Sequence, residues 1–212
     1  MVASVLELAA NEFADLAGRL ERARDLRDAG VVLLDATGEL PERFEITTED
    51  LRSVTLFELP VLFAFEGAVS RGLAELALAC DLRICGERAS MKGRLKGNAR
   101  ARTLADETTA LALFLGQREM PAEALLAAGL VSHVTPAGGA LGEARRQAEV
   151  IASRGPLAVR LAKEAIWRGL AQPLEQALRF ETDLTLLLQT TKDRAEGVRA
   201  FLEKRPPIFT GE

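Results

Sequence analysis

Residues 60–83 read PVLFAFEGAVSRGLAELALACDLR, and this stretch predicts the centre of the fold. An apolar run follows Pro60, and so short a run bounded by turn residues favours a strand that is buried on both faces. Small and apolar residues from Gly72 to Cys80 predict a helix, and residues 82–85 predict a second short strand. A strand, a helix and another strand in this order are typical of α/β layering with a mostly parallel sheet.

The chain before this stretch continues the alternation of helix and strand. Residues 5–26 carry apolar side chains at helical spacing, which predicts an amphipathic helix. The run VVLL at residues 31–34 predicts a buried strand that ends near Gly38. Residues 47–50, with the sequence TTED, are typical of a helix start.

The second half of the sequence is predicted to be helical from about Thr108 to the end, with a strand-like interruption at residues 129–134. Three prolines lie near the first turn of a predicted helix, where the missing N–H costs no hydrogen bond: Pro121, Pro156 and Pro173. Residues 190–193 predict the cap of the last helix, and the proline pair at residues 206–207 ends it.

The composition argues against several functions. The chain has 212 residues, 48% of them hydrophobic, with a net charge of −4 and no face that is obviously basic. We therefore expect one or two domains and no nucleic-acid partner. No apolar run approaches the roughly 20 residues that span a bilayer, so we expect no membrane partner. The first ten residues lack a basic flank and a small-residue cleavage site, which argues against a signal peptide.

The reactive residue types are few. The sequence has one histidine, His133, and no tyrosine, so a zinc site with several histidines is excluded. A Ser-His-Asp hydrolase would have to use His133, for which we expect a structural role. The two cysteines, Cys80 and Cys85, fit reduced structural thiols in a cytoplasmic protein better than a disulfide framework. We expect no metal and no cofactor.

Three stretches resemble the crotonase (enoyl-CoA hydratase/isomerase) superfamily. They are residues 60–83, residues 120–131 with the sequence MPAEALLAAGLV, and residues 193–205 with the sequence DRAEGVRAFLEKR. The resemblance implies an α/β fold, a spiral of ββα units followed by a helical trimerisation region. It places the α/β core at residues 1–135, without the strands that normally precede the first helix of the family, and the oligomerisation helices at residues 136–212.

The resemblance also implies a chemistry, since known members hold acyl-CoA thioesters in an oxyanion hole of two backbone amides. It places one of these amides at Gly72 and a catalytic glutamate at Glu75, on one face of the predicted helix. Gly72 as a packing glycine and Glu75 as a buried structural carboxylate remain alternatives. The second glutamate of the hydratases falls at Leu95, so the two-carboxylate mechanism is not available at the expected positions.

Other positions depart from the family or match its ligand contacts. The loop that supplies the second amide falls at residues 38–46, where Pro41 has no N–H to give. Arg71 replaces a glycine beside the proposed hole and either binds a substrate carboxylate or fills the site. Phe201 and Lys204 match residues that approach the CoA of a neighbouring subunit, or else are a core phenylalanine and a solvated lysine.

Residues 92–102 replace the glycine-rich active-site loop of the family and carry five positive charges. They form either a solvated loop or a surface for phosphate or an acidic partner.

Two functions follow from the resemblance. One is an enzyme that stabilises an enolate of an acyl thioester, linked to CoA or to an acyl carrier protein, and acts as a lyase, isomerase or decarboxylase rather than as a standard hydratase. The other is a non-catalytic binding or assembly protein. Acyl-CoA would be a substrate rather than a cofactor. For both functions we expect a homo-oligomer, a trimer or a hexamer.

Overall fold

The computed structural model describes residues 4–25, 29–40, 44–92, 107–115 and 119–212. The strands are β1 (Ser4–Ala9), β2 (Ala29–Ala36), β3 (Val61–Phe65), β4 (Ala68–Ser70), β5 (Leu82–Gly86), β6 (Ser90–Lys92), β7 (Glu119–Pro121) and β8 (His133–Thr135). The helices are α1 (Leu16–Asp25), α2 (Thr48–Thr55), α3 (Gly72–Ala79), α4 (Glu107–Leu115), α5 (Ala122–Ala127), α6 (Ala140–Ala152), α7 (Pro156–Gly169), α8 (Leu174–Gln189) and α9 (Lys192–Glu203).

The main sheet is parallel throughout, as the sequence predicts. Its strand order is β1-β2-β3-β5-β8, so each strand pairs with the next one of the sheet along the chain. All five residues of β3 are buried, because helices cover both faces of the sheet. The predicted strands at residues 31–34 and 82–85 correspond to β2 and β5, and the predicted helix after Gly72 is α3.

Two hydrophobic clusters fill the two sides of this sheet. The larger one includes residues of α1, α2 and α3 together with Phe63 and Phe65 of β3. The smaller one lies under α6, whose alanines every fourth residue form a single narrow face: Ala140, Ala144, Ala148 and Ala152. Their small side chains let the helix backbone approach Leu33, Leu62 and Ile84 of the sheet.

The amphipathic helix predicted over residues 5–26 is only partly correct. Its first residues form β1, which pairs with β2 from Ser4↔Ala29 to Ala9↔Asp35, and a 3-10 turn over Ala10–Asp15 precedes α1. The expectation that no strand precedes the first helix is therefore wrong. The buried strand β2 pairs in parallel along one edge of β1, and this non-local pairing outweighs local helical periodicity.

A second, small sheet was not predicted. β4 pairs in parallel with β6, and β6 pairs antiparallel with β7. Each of these strands has three residues, too few to show a period in the sequence. β7 and β8 also interrupt the second half, which is less uniformly helical than predicted.

The predicted starts of the C-terminal helices are confirmed. Pro156 is the first residue of α7, Pro173 precedes α8, and the Thr191 side chain caps α9. The main packing partner of both α7 and α9 is α8. Within the described ranges, no helix combines the length and the apolar character needed to cross a membrane.

Candidate functional site

The turn that leads into α3 holds an unusual backbone. Arg71 joins β4 to α3 and has φ 50° and ψ −125°, a conformation that glycine adopts freely and other residues rarely adopt. Its side chain is exposed, and it makes no cap hydrogen bond to the helix. The backbone therefore has a glycine-like shape at the position where the resemblance places a glycine.

The backbone of residues 44–46 passes close to Gly72, the first residue of α3. A β-carbon at this position would lie 2.5 Å from the carbonyl oxygen of Phe44 and 3.1 Å from the amide nitrogen of Ile46. Glycine is therefore required for packing, whatever else its amide does. The same contact places the end of the segment predicted to supply the second amide, residues 44–46, directly beside Gly72. Pro41 lies outside the described residues.

Glu75 lies on the first turn of α3, and its own amide donates a hydrogen bond of 3.0 Å to the carbonyl of Arg71. Its side chain is only 6% exposed, and every residue of α3 is buried. A carboxylate in such surroundings is stable only with polar or charged partners. The burial agrees with the structural alternative for Glu75. It is equally compatible with a base in a protected site, so the catalytic role remains a prediction.

Asp81, just after α3, forms a cluster that the sequence reasoning missed. Its carboxylate accepts hydrogen bonds from Lys163 Nζ at 2.6 Å, from Trp167 Nε1 at 3.2 Å and from the Val61 amide at 2.8 Å. The two side chains belong to α7, so this Asp81 clip fastens the C-terminal helices to the sheet. The sequence signal that could have indicated this cluster is the Cys80-Asp81 pair near the end of residues 60–83.

Arg83 is the second polar residue that the sequence reasoning missed. It is 3% exposed and donates to the backbone carbonyls of Cys80, at 2.6 Å, and of Leu130. A buried cation beside the C-terminal end of α3 is favoured by the helix dipole and satisfies carbonyls that have no partner within the helix. The far end of α3 is therefore held rigidly, which fixes the direction of its first turn.

Phe201 and Lys204 lie at the end of α9, apart from the first turn of α3. Phe201, on α9, is 82% exposed and lines an apolar groove of about 400 Å³ between α7, α8 and α9. Lys204 ends α9 in the left-handed conformation, with φ 54°. The structure thus brings Arg71, Gly72 and Glu75 together and places Phe201 on a separate surface. The alternative in which Phe201 is a core residue is wrong for the single chain, because its side chain is exposed.

The cysteines and His133 lie apart from the first turn of α3 in the sequence, on or next to strands of the main sheet. Both cysteines are free and buried, and burial together with the charge of Glu66 raises the pKa of the Cys85 thiol to about 11. His133 is an exposed residue of β8. In the described part of the chain, no three His, Cys, Asp or Glu residues are grouped as a metal site would require. Leu95 and the basic loop beyond Lys92 lie outside that part.

Comparison with known proteins gives consistent matches. Residues 42–212 match the family described as enoyl-CoA hydratase/isomerase. The chain is 34% identical to "Probable enoyl-CoA hydratase 2, mitochondrial" of Arabidopsis thaliana, over 86% of this chain and 65% of that protein. It is 36% identical to the (E)-benzylidenesuccinyl-CoA hydratase of Thauera aromatica, over 72% of this chain and 63% of that protein. The chain thus spans slightly less than two thirds of the length of these relatives.

Similarity in three dimensions is more extensive. The crystal structure of an enoyl-CoA hydratase from Bacillus anthracis superposes with a TM-score of 0.85 at 32% identity, covering 97% of this chain and 91% of the other. The parallel sheet and the C-terminal helices are therefore those of this group of proteins.

Proposed function

The chain belongs to the enoyl-CoA hydratase/isomerase family, and on that basis we propose that it binds an acyl thioester and stabilises an enolate of the acyl group. The proposed activity is that of a lyase, isomerase or decarboxylase rather than that of a standard hydratase. The observation that carries the proposal is the first turn of α3, which keeps Gly72 at its start and Glu75 three residues later.

The chemistry assigned to this turn is proton transfer beside a thioester. Glu75 would remove a proton from the carbon next to the carbonyl and return it elsewhere on the acyl group. Negative charge then builds on the thioester oxygen, where the Gly72 amide can donate a hydrogen bond. The free amides of a helix N-terminus favour negative charge at that place.

Substrate binding is assigned to three further residues. Arg71 would contact a carboxylate on the acyl group, since its exposed guanidinium lies one residue before Gly72. Phe201 and Lys204 would contact the CoA or carrier-protein part of a thioester bound to a neighbouring subunit, and their position on α9, apart from α3, is compatible with that arrangement. The Thauera relative supports a carboxylated acyl-CoA, since the benzylidenesuccinyl-CoA in its name carries one free carboxylate.

Hydration of crotonyl-CoA should be very slow or absent. Leu95 cannot transfer a proton, and the loss of one general acid or base typically costs about 10²–10⁴-fold in rate. The measurement is the loss of the enoyl absorbance on mixing with the protein. Turnover at about 10 per second or more, which is ordinary for an enzyme, would refute the departure from hydratase chemistry.

A second candidate is a non-catalytic binding or assembly protein. It is favoured by the contact at Gly72, where the Phe44 carbonyl occupies space beside the proposed oxyanion site. Acetoacetyl-CoA, a stable acyl thioester with an enolisable acyl group, separates the two candidates. A rise in melting temperature with acetoacetyl-CoA that exceeds the rise with free CoA supports an acyl site, and no rise with either ligand contradicts the enzyme proposal.

A further inference from the structure

The last eight residues, 205–212, fold back along α9 and form what we call the C-terminal strap. Asp193, on the first turn of α9, is 6% exposed, and its two carboxylate oxygens accept the amides of Thr210 at 2.7 Å and Gly211 at 3.0 Å. The Asp193 amide in turn donates to the carbonyl of Glu212 at 3.1 Å. One buried carboxylate thus holds both the strap and the start of the helix.

A second carboxylate, Glu196, holds the other end of the strap. It receives both terminal nitrogens of Arg205, at 2.6 and 3.0 Å, and the amide of Ile208 at 3.0 Å. The bidentate contact with Arg205, followed by the Ile208 amide, lowers the pKa of Glu196 to about 2. Glu196 therefore stays charged, and keeps its hold on the strap, even at an acidic pH at which an ordinary glutamate is protonated.

The strap also connects α9 to the start of α7. A β-carbon placed on Gly155, just before α7, or on Gly197 of α9 would lie 3.7 Å from the ring of Phe209. The ring of Phe209 therefore sits between the two helices, where glycines leave it room. α9 otherwise packs mainly on α8, so the strap, together with Asp193, connects it to the start of α7.

We propose that the strap sets the position of α9 and that Asp193 is the positioning residue through which it does so. The inference rests on the proposed function, in which Phe201 and Lys204 of this helix contact the thioester carrier. Releasing the strap frees α9 from α7, so both ligand contacts lose their defined position while the first turn of α3 stays intact.

Three variants of the full chain separate positioning from simple helix stability. Asp193→Asn removes the charge and one of the two strap acceptors, and Phe209→Ala removes the ring from the strap side. Thr191→Ala is the matched control, because it removes the side-chain cap of α9, which accepts the Arg194 amide at 3.1 Å, without touching the strap. Hydrogen exchange of α9 amides and calorimetric binding of acetoacetyl-CoA are measured for each.

We expect Asp193→Asn and Phe209→Ala to speed exchange in α9 and the strap about tenfold or more, and to weaken acetoacetyl-CoA binding by a similar factor, with little change in α3. Thr191→Ala should leave exchange in the strap and the affinity near those of the unmodified protein. Adding Asp193→Asn to a Phe201→Ala, Lys204→Gln background should cause no further loss of affinity.

Each result decides between the claims. If hydrogen exchange in α9 is unchanged in Asp193→Asn, the strap does not hold α9. If exchange is faster but the affinity for acetoacetyl-CoA is unchanged, Asp193 has no positioning role. A further loss of affinity in the combined variant would show that Asp193 acts through other groups. If the unmodified protein does not bind acetoacetyl-CoA, the proposed function fails and the positioning role fails with it, while the exchange experiment still decides whether the strap holds α9.

Discussion

Arg71 combines an exposed side chain with a backbone shape that suits glycine, and this combination has a measurable energetic consequence. A non-glycine residue held at φ 50° and ψ −125° lowers the free energy of unfolding by about 1–3 kcal/mol. Glycine adopts this conformation without strain, and its greater freedom in the unfolded chain lowers the free energy of unfolding by only about 0.5–1 kcal/mol. We therefore expect Arg71→Gly to raise the free energy of unfolding by about 1 kcal/mol. Denaturant titration of the variant and the unmodified protein measures the difference in the free energy of unfolding.

The control is Arg71→Ala, which removes the guanidinium and keeps the strained φ. If the glycine variant is no more stable than the alanine variant, the backbone of residue 71 is not strained. The same two variants test the proposed carboxylate contact, since both should lose any preference for carboxylated over neutral acyl thioesters.

Glu75 is the other residue whose role one substitution can decide. Glu75→Gln keeps the size of the side chain and most of its hydrogen bonding but removes the base. With a substrate found by screening, we expect turnover to fall by at least about a hundredfold while the melting temperature changes little. Activity that survives intact would make Glu75 a structural residue. Loss of folding would instead place it in a buried network, and in that case the catalytic role would lose its support.

At the scale of elements, the Asp81 clip joins α7 to the end of α3 and the start of β3. Asp81→Asn removes the charge that faces Lys163, and hydrogen bonds to charged groups contribute about 1.5–3 kcal/mol. We expect the free energy of unfolding to fall by about 2 kcal/mol. Trp167 is the sole tryptophan of the sequence and donates to Asp81, so a shift of its fluorescence in the folded state reports the loosened clip directly.

The matched control removes a different contact of the same helix, α7. Glu58→Gln breaks the exposed ion pair with Arg160 of α7, and exposed pairs contribute about 0–1 kcal/mol. A control variant that destabilises as much as Asp81→Asn would mean that general contacts of α7, not the clip, carry the attachment.

At the scale of the whole molecule, the C-terminal helices of a single chain expose many large apolar side chains, and contiguous apolar surface of this kind ordinarily marks an interaction site. The exposed residues include Ile166, Leu170, Leu174, Leu178, Leu186, Leu187, Val198, Phe201 and Leu202. We expect a homo-oligomer, a trimer or a dimer of trimers, because cyclic association buries such a surface. Light scattering should give three or six times the chain mass of 22.9 kDa. A monomer at micromolar concentration would contradict the expectation.

A charge placed within this surface tests which residues form the contact. Leu174 is 75% exposed and lies at the start of α8, so Leu174→Glu should leave a single chain folded and reduce the oligomer to monomers. The same change at Leu56, which is exposed on the opposite part of the chain just after α2, should leave the mass unchanged.

The sequence by itself determined the elements whose signals are local. Short apolar runs indicated β2, β3 and β5, the small-residue run indicated α3, and prolines and threonines marked the starts of the C-terminal helices. These signals are readable because burial on both faces, helix capping and the missing N–H of proline each constrain residue types within a few positions. The order of the motifs also identified the family, while the placement of Leu95 at the second glutamate position stays a prediction.

Only the tertiary structure decided the features that depend on distant residues. Residues 4–9 look helical by periodicity and become β1 because β2 offers a buried parallel edge. Gly72 must be glycine because the chain at Phe44 passes over it, and Asp81 meets Lys163 although 82 positions separate them. Such contacts leave no period or local composition in the sequence, because they depend on packing between segments that are far apart along the chain.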